Sequence, residues 1–404
     1  MTESGAIVVG GGAAGLATAI GLARRGVPVT LLGLPETIID DGRSAALFET
    51  SLAFLDGIGA GAALRRRGAP LRAIRIVDIT DALARAPEVT FRASEIGQEA
   101  FGWNIPNAAI LDEMIAVARE VPELTLSTAR FASVVADARA IAVTDGDGVV
   151  HRGAVLVAAD GQASPVRAAA GITHREKLYP QVAITVRLAH SEDHLDESLE
   201  LHTREGPFTF VPVADRECAL VWIMQPEKAD AMLARAPEDI ARIAEKRSFH
   251  ALGQLTVIGR LGRVPMRRLV ADSLVAERVA LVGEAAHAFP PIGAQGLNLG
   301  LRDVADLVEK LGDPHAAGKD IGATDVLSSY QKARRLDVEA RTAGVDILNS
   351  ALIDNTLPQD LLRFFGLCAM RGISPLRRVA MRLGGGMSAL PALRLPDLRP
   401  PFLR

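Results

Sequence analysis

Apolar residues along the chain fall into short runs, alternations and helical stripes, and their order predicts an α/β protein. Residues 6–9 form an uncharged run of strand length. A glycine cluster follows, then small apolar residues to position 23 that read as a helix, then a second strand over Val29–Leu32. Helical spacing returns at Leu47, Leu52, Leu55 and Ile58, just after Arg43. Residues 71–79 alternate, as a strand leaving the first domain would. Residues 108–118 carry a helical stripe with Asn107 as its N-cap. Short strands recur at Leu124–Ser127, 132–136 and 140–144, with a turn over 145–148. From 175 to 268 the pattern becomes a run of alternating strands (182–188, 199–202, 208–213 and 219–224), interrupted by a helical segment around 229–245. Residues 279–282 return to a buried strand, residues 297–308 to an amphipathic helix, and residues 328–348 to a long helix.

Composition narrows this only a little. At 404 residues the chain is long enough for two or three domains, and a net charge of −3 with a pI near 6.3 gives no sign of nucleic-acid binding. The charge is uneven. Residues 361–404 hold eight Arg and one Asp, net +7, which leaves −10 on residues 1–360 and suggests an anionic partner for the tail. Cys218 and Cys368 have no metal-ligand spacing, so no metal site is expected, and two distant cysteines fit a reducing compartment such as the cytoplasm. The uncharged stretch 5–23 is neither a signal peptide nor a membrane span, because no basic region precedes it and successive glycines interrupt it.

Three stretches carry candidate chemistry. Gly10, Gly12 and Gly15 form GxGxxG between strand and helix, with Ala13 and Ala14 opening the helix, an arrangement that lets backbone N–H groups approach a pyrophosphate. The acid that normally ends the second strand and binds a ribose is replaced by Gly33. Glu36 is the nearest carboxylate, so either it reaches back or the ribose is held loosely. In residues 155–171 an apolar strand runs into Asp160 and Gly161, and Ser164 and Pro165 open a helix bearing Arg167. In residues 278–303 a strand ends at Gly283 and Glu284. His287, Pro290, Pro291 and Gly293 follow, and the first turn of a helix over Gln295, Gly296, Leu297 and Asn298 would aim free N–H groups at an anion.

The last stretch resembles the second FAD-binding motif of the aromatic flavin monooxygenases with the para-hydroxybenzoate hydroxylase fold, and residues 160–167 resemble their DG motif. The segment from Asp41 through Arg43 to Leu47 is similar to the DxRxxAL signature of the ubiquinone-biosynthesis branch, as are residues 179–184, 206–213 and the helix containing YQKARRLDVEAR. The resemblance implies a Rossmann-like FAD-binding domain (1–70, 107–174 and 269–320), an inserted mixed-sheet substrate domain (71–106 and 175–268) and a C-terminal helical region (321–404). It places Glu284, where the family has Asp, on the ribityl chain. It puts Pro291 along the isoalloxazine, the 295–298 backbone at its N1–C2 edge, Arg43 beside the flavin, and Asp160 and Arg167 toward FAD pyrophosphate and NAD(P)H.

The implied reaction is hydroxylation of an aromatic ring, a prenylated phenol of ubiquinone biosynthesis, with NADPH or NADH as donor, O2 as oxidant and a flavin C4a-hydroperoxide as oxygenating species. His287 and Tyr179 are the candidates for the phenol's base; His287 alternatively positions its loop. The basic, amphipathic tail would lie on an anionic membrane surface near a ubiquinone-biosynthesis complex, or else pack on the protein with its arginines solvated. The oligomeric state is unknown from sequence. The alternatives are an FAD-dependent hydroxylase, reductase or halogenase of another hydrophobic substrate, or a non-catalytic FAD-binding member of a biosynthetic assembly.

Overall fold

The structure, a computed structural model, describes residues 2–80, 86–290, 293–353 and 357–385. Two large sheets, termed lower and upper, build the fold. The lower one has a parallel core, in the order Val279–Leu281, Val150–Ala158, Thr2–Val9, Val29–Leu32, Leu124–Ser127, extended by antiparallel strands at Phe131–Ala136, Ile141–Asp145 and Val275–Ala276. Its central strands are buried on both faces, which is why they read as continuous apolar runs. The helix Ala13–Ala23 covers one face and packs against the helix Gln295–Ala316. A Cβ on Gly21 would stand 2.8 Å from a Val308 methyl, so glycine sets the helix-to-helix distance.

The upper sheet is almost wholly antiparallel, in the order His287–Ala288, Leu255–Ala271, His174–His190, Glu217–Met224, Gly206–Ala214, Glu197–Thr203, Ala73–Asp78, Val89–Arg92. Alternation gives it two faces. Ile184, Val186, Phe208, Phe210, Leu220 and Trp222 pack under two helices, whereas Ala183, Val221, Ile223, Val264, Met266 and Tyr179 cluster on the opposite side. That opposite side looks toward the loop that follows the Val29–Leu32 strand of the lower sheet. Arg187, in phase with Ala183 on its strand, donates to Asp40 at 3.0 Å, and a Cβ on Gly42 would reach the Arg260 carbonyl at 2.9 Å.

Several elements differ from the sequence reading. Leu47 is buried, but in a strand, Ser44–Phe48, which pairs with Gly102–Pro106; the helix begins at Glu49. Arg43 therefore precedes a strand. The strand was hidden because its partner is remote and closes onto it only through Gly102, where a Cβ would meet the Leu47 carbonyl at 2.1 Å. Asn107 is the first residue of its helix and Pro106 is the cap, since the Asn107 N–H is already bonded to the Arg43 carbonyl. The helical segment near 229–245 is two helices, Pro226–Leu233 and Pro237–Arg247. Pro237 cannot continue the first and pre-sets the start of the second.

Candidate active site

Three turns from distant parts of the chain meet at one end of the parallel sheet. Gly10 has φ +118°, and a Cβ there would strike the Ala159 carbonyl at 2.2 Å, so the glycine loop lies directly on the Asp160–Gly161 turn. A Cβ on Gly15 would sit 1.8 Å from the Gly10 carbonyl, which closes the loop against its own helix. Gly283 fits between the Ala14 methyl and Gly300: a Cβ on Gly283 would lie 3.3 Å from the Ala14 Cβ, and one on Gly300 would lie 3.0 Å from the Gly283 Cα. Gly12 differs from these. It is exposed, it has φ −79°, and a Cβ there would meet nothing within 4 Å. The protein leaves that space open.

The electrostatics of the cradle suit an anion. The helix starting at Ala13 has no acidic residue in its first turn and no side-chain cap, and neither does the helix starting at Gln295, whose Ala294 cap is left-handed at φ 54°. Both first turns thus keep uncompensated N–H groups. Asp160 accepts from the Val166 N–H through Oδ2, while its Oδ1 is buried with no hydrogen-bond partner among the described residues, and burial pushes its carboxyl up from the ordinary range. Open space at Gly12, free N–H groups at two helix ends and an orphaned acceptor at Asp160 fit a dinucleotide cofactor.

The other candidates fall around this cradle in distinct ways. Ser164 caps its short helix as expected, accepting from the Arg167 N–H at 2.9 Å. The Arg167 guanidinium is buried and donates to the carbonyls of Gln162 and Ala285, each at 2.8 Å, so it ties the Asp160 turn to the Gly283 turn. Glu284 is exposed and accepts from Gln162 at 3.2 Å. Arg43 is exposed and paired with Asp41 at 2.6 Å. Gly33 has φ +83°, where a side chain is strained, which gives a backbone reason for the missing acid; Glu36 is exposed three residues on. Gln295 donates to the carbonyls of Gly293, itself exposed at φ 65°, and Gly384, each at 3.2 Å. Asn298 is buried with its amide fully engaged, accepting from the Phe48 N–H and the Ser51 hydroxyl and donating to the carbonyls of Ala46 and Ala294. Leu297 packs on the main core. Tyr179 is buried in the cluster on the inner face of the upper sheet, with Ala183, Ile223 and Met266. Pro291 lies outside the described residues.

His287 has a fully buried side chain bonded to Asp303 at 2.6 Å. Asp303 also accepts from the Gly283 N–H at 3.1 Å and from Arg334 at 2.7 Å, and Arg334 further donates to Asp306 and Asp337. Burial opposes the charge of Asp303, but the charge and hydrogen bonds of His287 and Arg334 more than offset it and hold its carboxyl below the ordinary range. This hub was missed in the sequence. Its signal is a carboxylate at position 303, in register with Leu299, Leu307 and Leu311 on the apolar stripe of the helix, where an unpaired charge would be untenable.

A cofactor cradle at the carboxyl end of a parallel sheet, roofed by an antiparallel sheet with an apolar inner face, defines an FAD-dependent aromatic monooxygenase. The comparisons agree: residues 3–344 match the FAD binding domain family, and the chain belongs to it. It is 31% identical over 382 residues to the ubiquinone hydroxylase UbiL of Rhodospirillum rubrum, covering 93% of this chain and 88% of that protein. Against the 3-demethoxyubiquinol 3-hydroxylase of Escherichia coli it is 28% identical over 94% of this chain and 98% of that one. The p-nitrophenol 4-monooxygenase PnpA of Pseudomonas putida shares the fold, with a TM-score of 0.77 at 20% identity over 94% of this chain and 97% of that one.

The hub gives a test. Asp303→Asn should lower stability at pH 7 by roughly 3 kcal/mol in urea unfolding, because it leaves Arg334 and His287 buried without their shared anion. The folded-state pKa of Asp303 lies below the unfolded one, so its contribution is complete above about pH 4. It fades as pH falls through the lower folded value, and the gap between wild type and variant should narrow there. Equal stability at pH 7 would contradict this.

Proposed function

We propose that this enzyme hydroxylates a prenylated phenol of ubiquinone biosynthesis, taking electrons from NADPH or NADH and oxygen from O2. What carries the reading is its similarity, along nearly the full length, to proteins named as ubiquinone hydroxylases, together with the apolar inner face of the upper sheet. FAD, when bound, supplies the electron transfer and the oxygen activation. The residues of the chain do the rest. Gly10, Gly12, Ala13, Ala14 and Gly15 receive the pyrophosphate on backbone N–H groups. Asp160 and Gly161 flank it, Gly283 and Glu284 serve the ribityl chain, and Arg167, which ties the two turns together, helps hold the cofactor through the Asp160 turn. Glu36 serves the ribose, Gly293 lines the ring, and the family resemblance assigns the same role to Pro291, outside the described residues. The N–H groups of residues 295–298 supply positive potential at the ring's N1 edge, while the bonded amide of Asn298 fixes that helix end against the 44–48 strand. Arg43 contributes its cation beside the flavin. His287 positions its loop through Asp303. Tyr179, on the inner face, is the candidate base for the phenol.

The apolar roof orients a greasy ring and excludes water from it. The direct check is NAD(P)H consumption by the FAD-loaded protein. It should rise sharply when a prenylphenol is added, with a hydroxylated product formed in step. Consumption that ignores the prenylphenol, with no product, would sink the reading.

A lipid-soluble substrate has to reach this site, and we infer that the C-terminal helices bring the protein to an anionic membrane surface. No helix among the described residues is long and apolar enough to cross a membrane. The helix Ser374–Gly384 is held inward by Arg377 on Glu95 at 2.8 Å and by Met381 against Phe101. Its Leu376 and Leu383, seven residues apart, stay exposed, as do Ile373 and Phe365 (63%), with Arg371, Arg378 and Arg382 close by in sequence. Gly384 is bonded to Gln295 of the helix facing the cofactor, so this surface adjoins the site. Residues 386–404 of the basic tail lie outside the described residues. The double variant Leu376→Glu/Leu383→Glu should lose co-sedimentation with vesicles containing anionic lipid while keeping its FAD. Undiminished co-sedimentation would remove the idea.

A further inference from the structure

The face of the upper sheet that looks away from the cofactor carries a hollow of its own. Helices Pro226–Leu233 and Pro237–Arg247 pack there through Ala229, Ala241 and Ala244, and between them and the sheet lies a cavity of about 270 Å³. That is near the lower limit of cavities that hold small organic ligands. Trp222, Met224, Met232 and Ile243 give it apolar walls. Aromatic rings and thioethers pack well against a flat ring.

Four lining residues are charged, Glu205, Lys228, Arg235 and Arg247, and Arg247 is the one held against the apolar wall. The Arg247 guanidinium lies 5.6 Å from the Trp222 ring centroid and 5.9 Å from that of Phe208, so two rings hold the cation in place. Its Nε is buried and meets no acceptor among the described residues. Glu205 is the single carboxylate among the residues that line the cavity, and it is paired with Lys228. The cavity therefore presents a fixed, unneutralised cation beside a flat apolar wall. A buried donor without a partner is costly, and an anionic oxygen is the acceptor that matches it best.

We propose that this hollow is a second ligand site, which takes a small aromatic carboxylate of one or two rings. The ring lies against Trp222 and the two thioethers, and the carboxylate accepts from the guanidinium of Arg247. A neutral aromatic of the same shape leaves the Nε–H unpaired, and a long alkyl chain exceeds the volume. The site does not depend on the proposed substrate. On the strand Glu217–Met224, Trp222 faces this cavity while its neighbours Val221 and Ile223 face the cofactor side, so the two sites lie back to back across one sheet.

The test is calorimetric titration of the FAD-loaded full chain with 2-naphthoate and with its neutral counterpart 2-naphthamide. Naphthoate should bind saturably and more tightly than the amide. Arg247→Gln should weaken it by about ten-fold, as expected for one lost charge-assisted hydrogen bond. Ala231→Trp, which fills the hollow from its helix and leaves the arginine in place, should abolish it. Absence of saturable binding, equal affinity for the amide, or naphthoate binding unmoved by both variants would overturn the assignment.

Discussion

A buried carboxylate shared by three donors fixes the geometry on which the rest of the site depends. Asp303 has no exposure to solvent, and it joins the Gly283 turn, the His287 strand and the C-terminal helix through Arg334. Taking that charge out of water costs several kcal/mol, and only a full set of partners offsets it. The arrangement therefore has little freedom. If any of the three elements moves, the charge loses a partner, so the helix that begins at Gln295 is held at one position and angle.

That constraint propagates to the cofactor cradle through close backbone contacts. Gly283, held by Asp303, sits between Ala14 and Gly300, and Arg167 ties the same turn to the one at Asp160. Two helix N-termini and two turns are thus brought together, with no acid in either first turn to neutralise the field. Helix ends left without acids suit an anionic cofactor, and that comes from sequence choices as much as from the fold. The upper sheet adds the second half, an apolar ceiling bonded to the nucleotide domain by Arg187 and Asp40.

Much of this was legible in the chain. Strands buried on both faces announce themselves as apolar runs, and glycines required at a tight turn fall at fixed spacing, so residues 6–15, 155–167 and 279–298 could be assigned and joined before any contact was known. What stayed hidden depends on partners far away in sequence. The strand Ser44–Phe48 exists because Gly102–Pro106 pairs with it, and its apolar residues fit a helical spacing equally well. Arg167 points to the cofactor motif in sequence, yet its guanidinium is engaged by two carbonyls, one of them 118 residues away. Asp303 lay inside the motif, but its role needed Arg334, which no local pattern supplies. Gly33 was noted as a departure, and only its backbone angle gives the reason.

The account rests on convergence of separated segments around one dinucleotide, and Gly12 isolates that claim. A Cβ there would meet nothing within 4 Å and its backbone angle is ordinary, so Gly12→Val should fold normally while occupying the space proposed for the pyrophosphate. The deciding measurement is the visible flavin absorbance of the purified proteins after incubation with excess FAD and gel filtration. Wild type should retain one FAD per chain and the variant essentially none, at equal thermal stability of the apoproteins. A colourless wild type, or a variant that stays equally yellow, would contradict it.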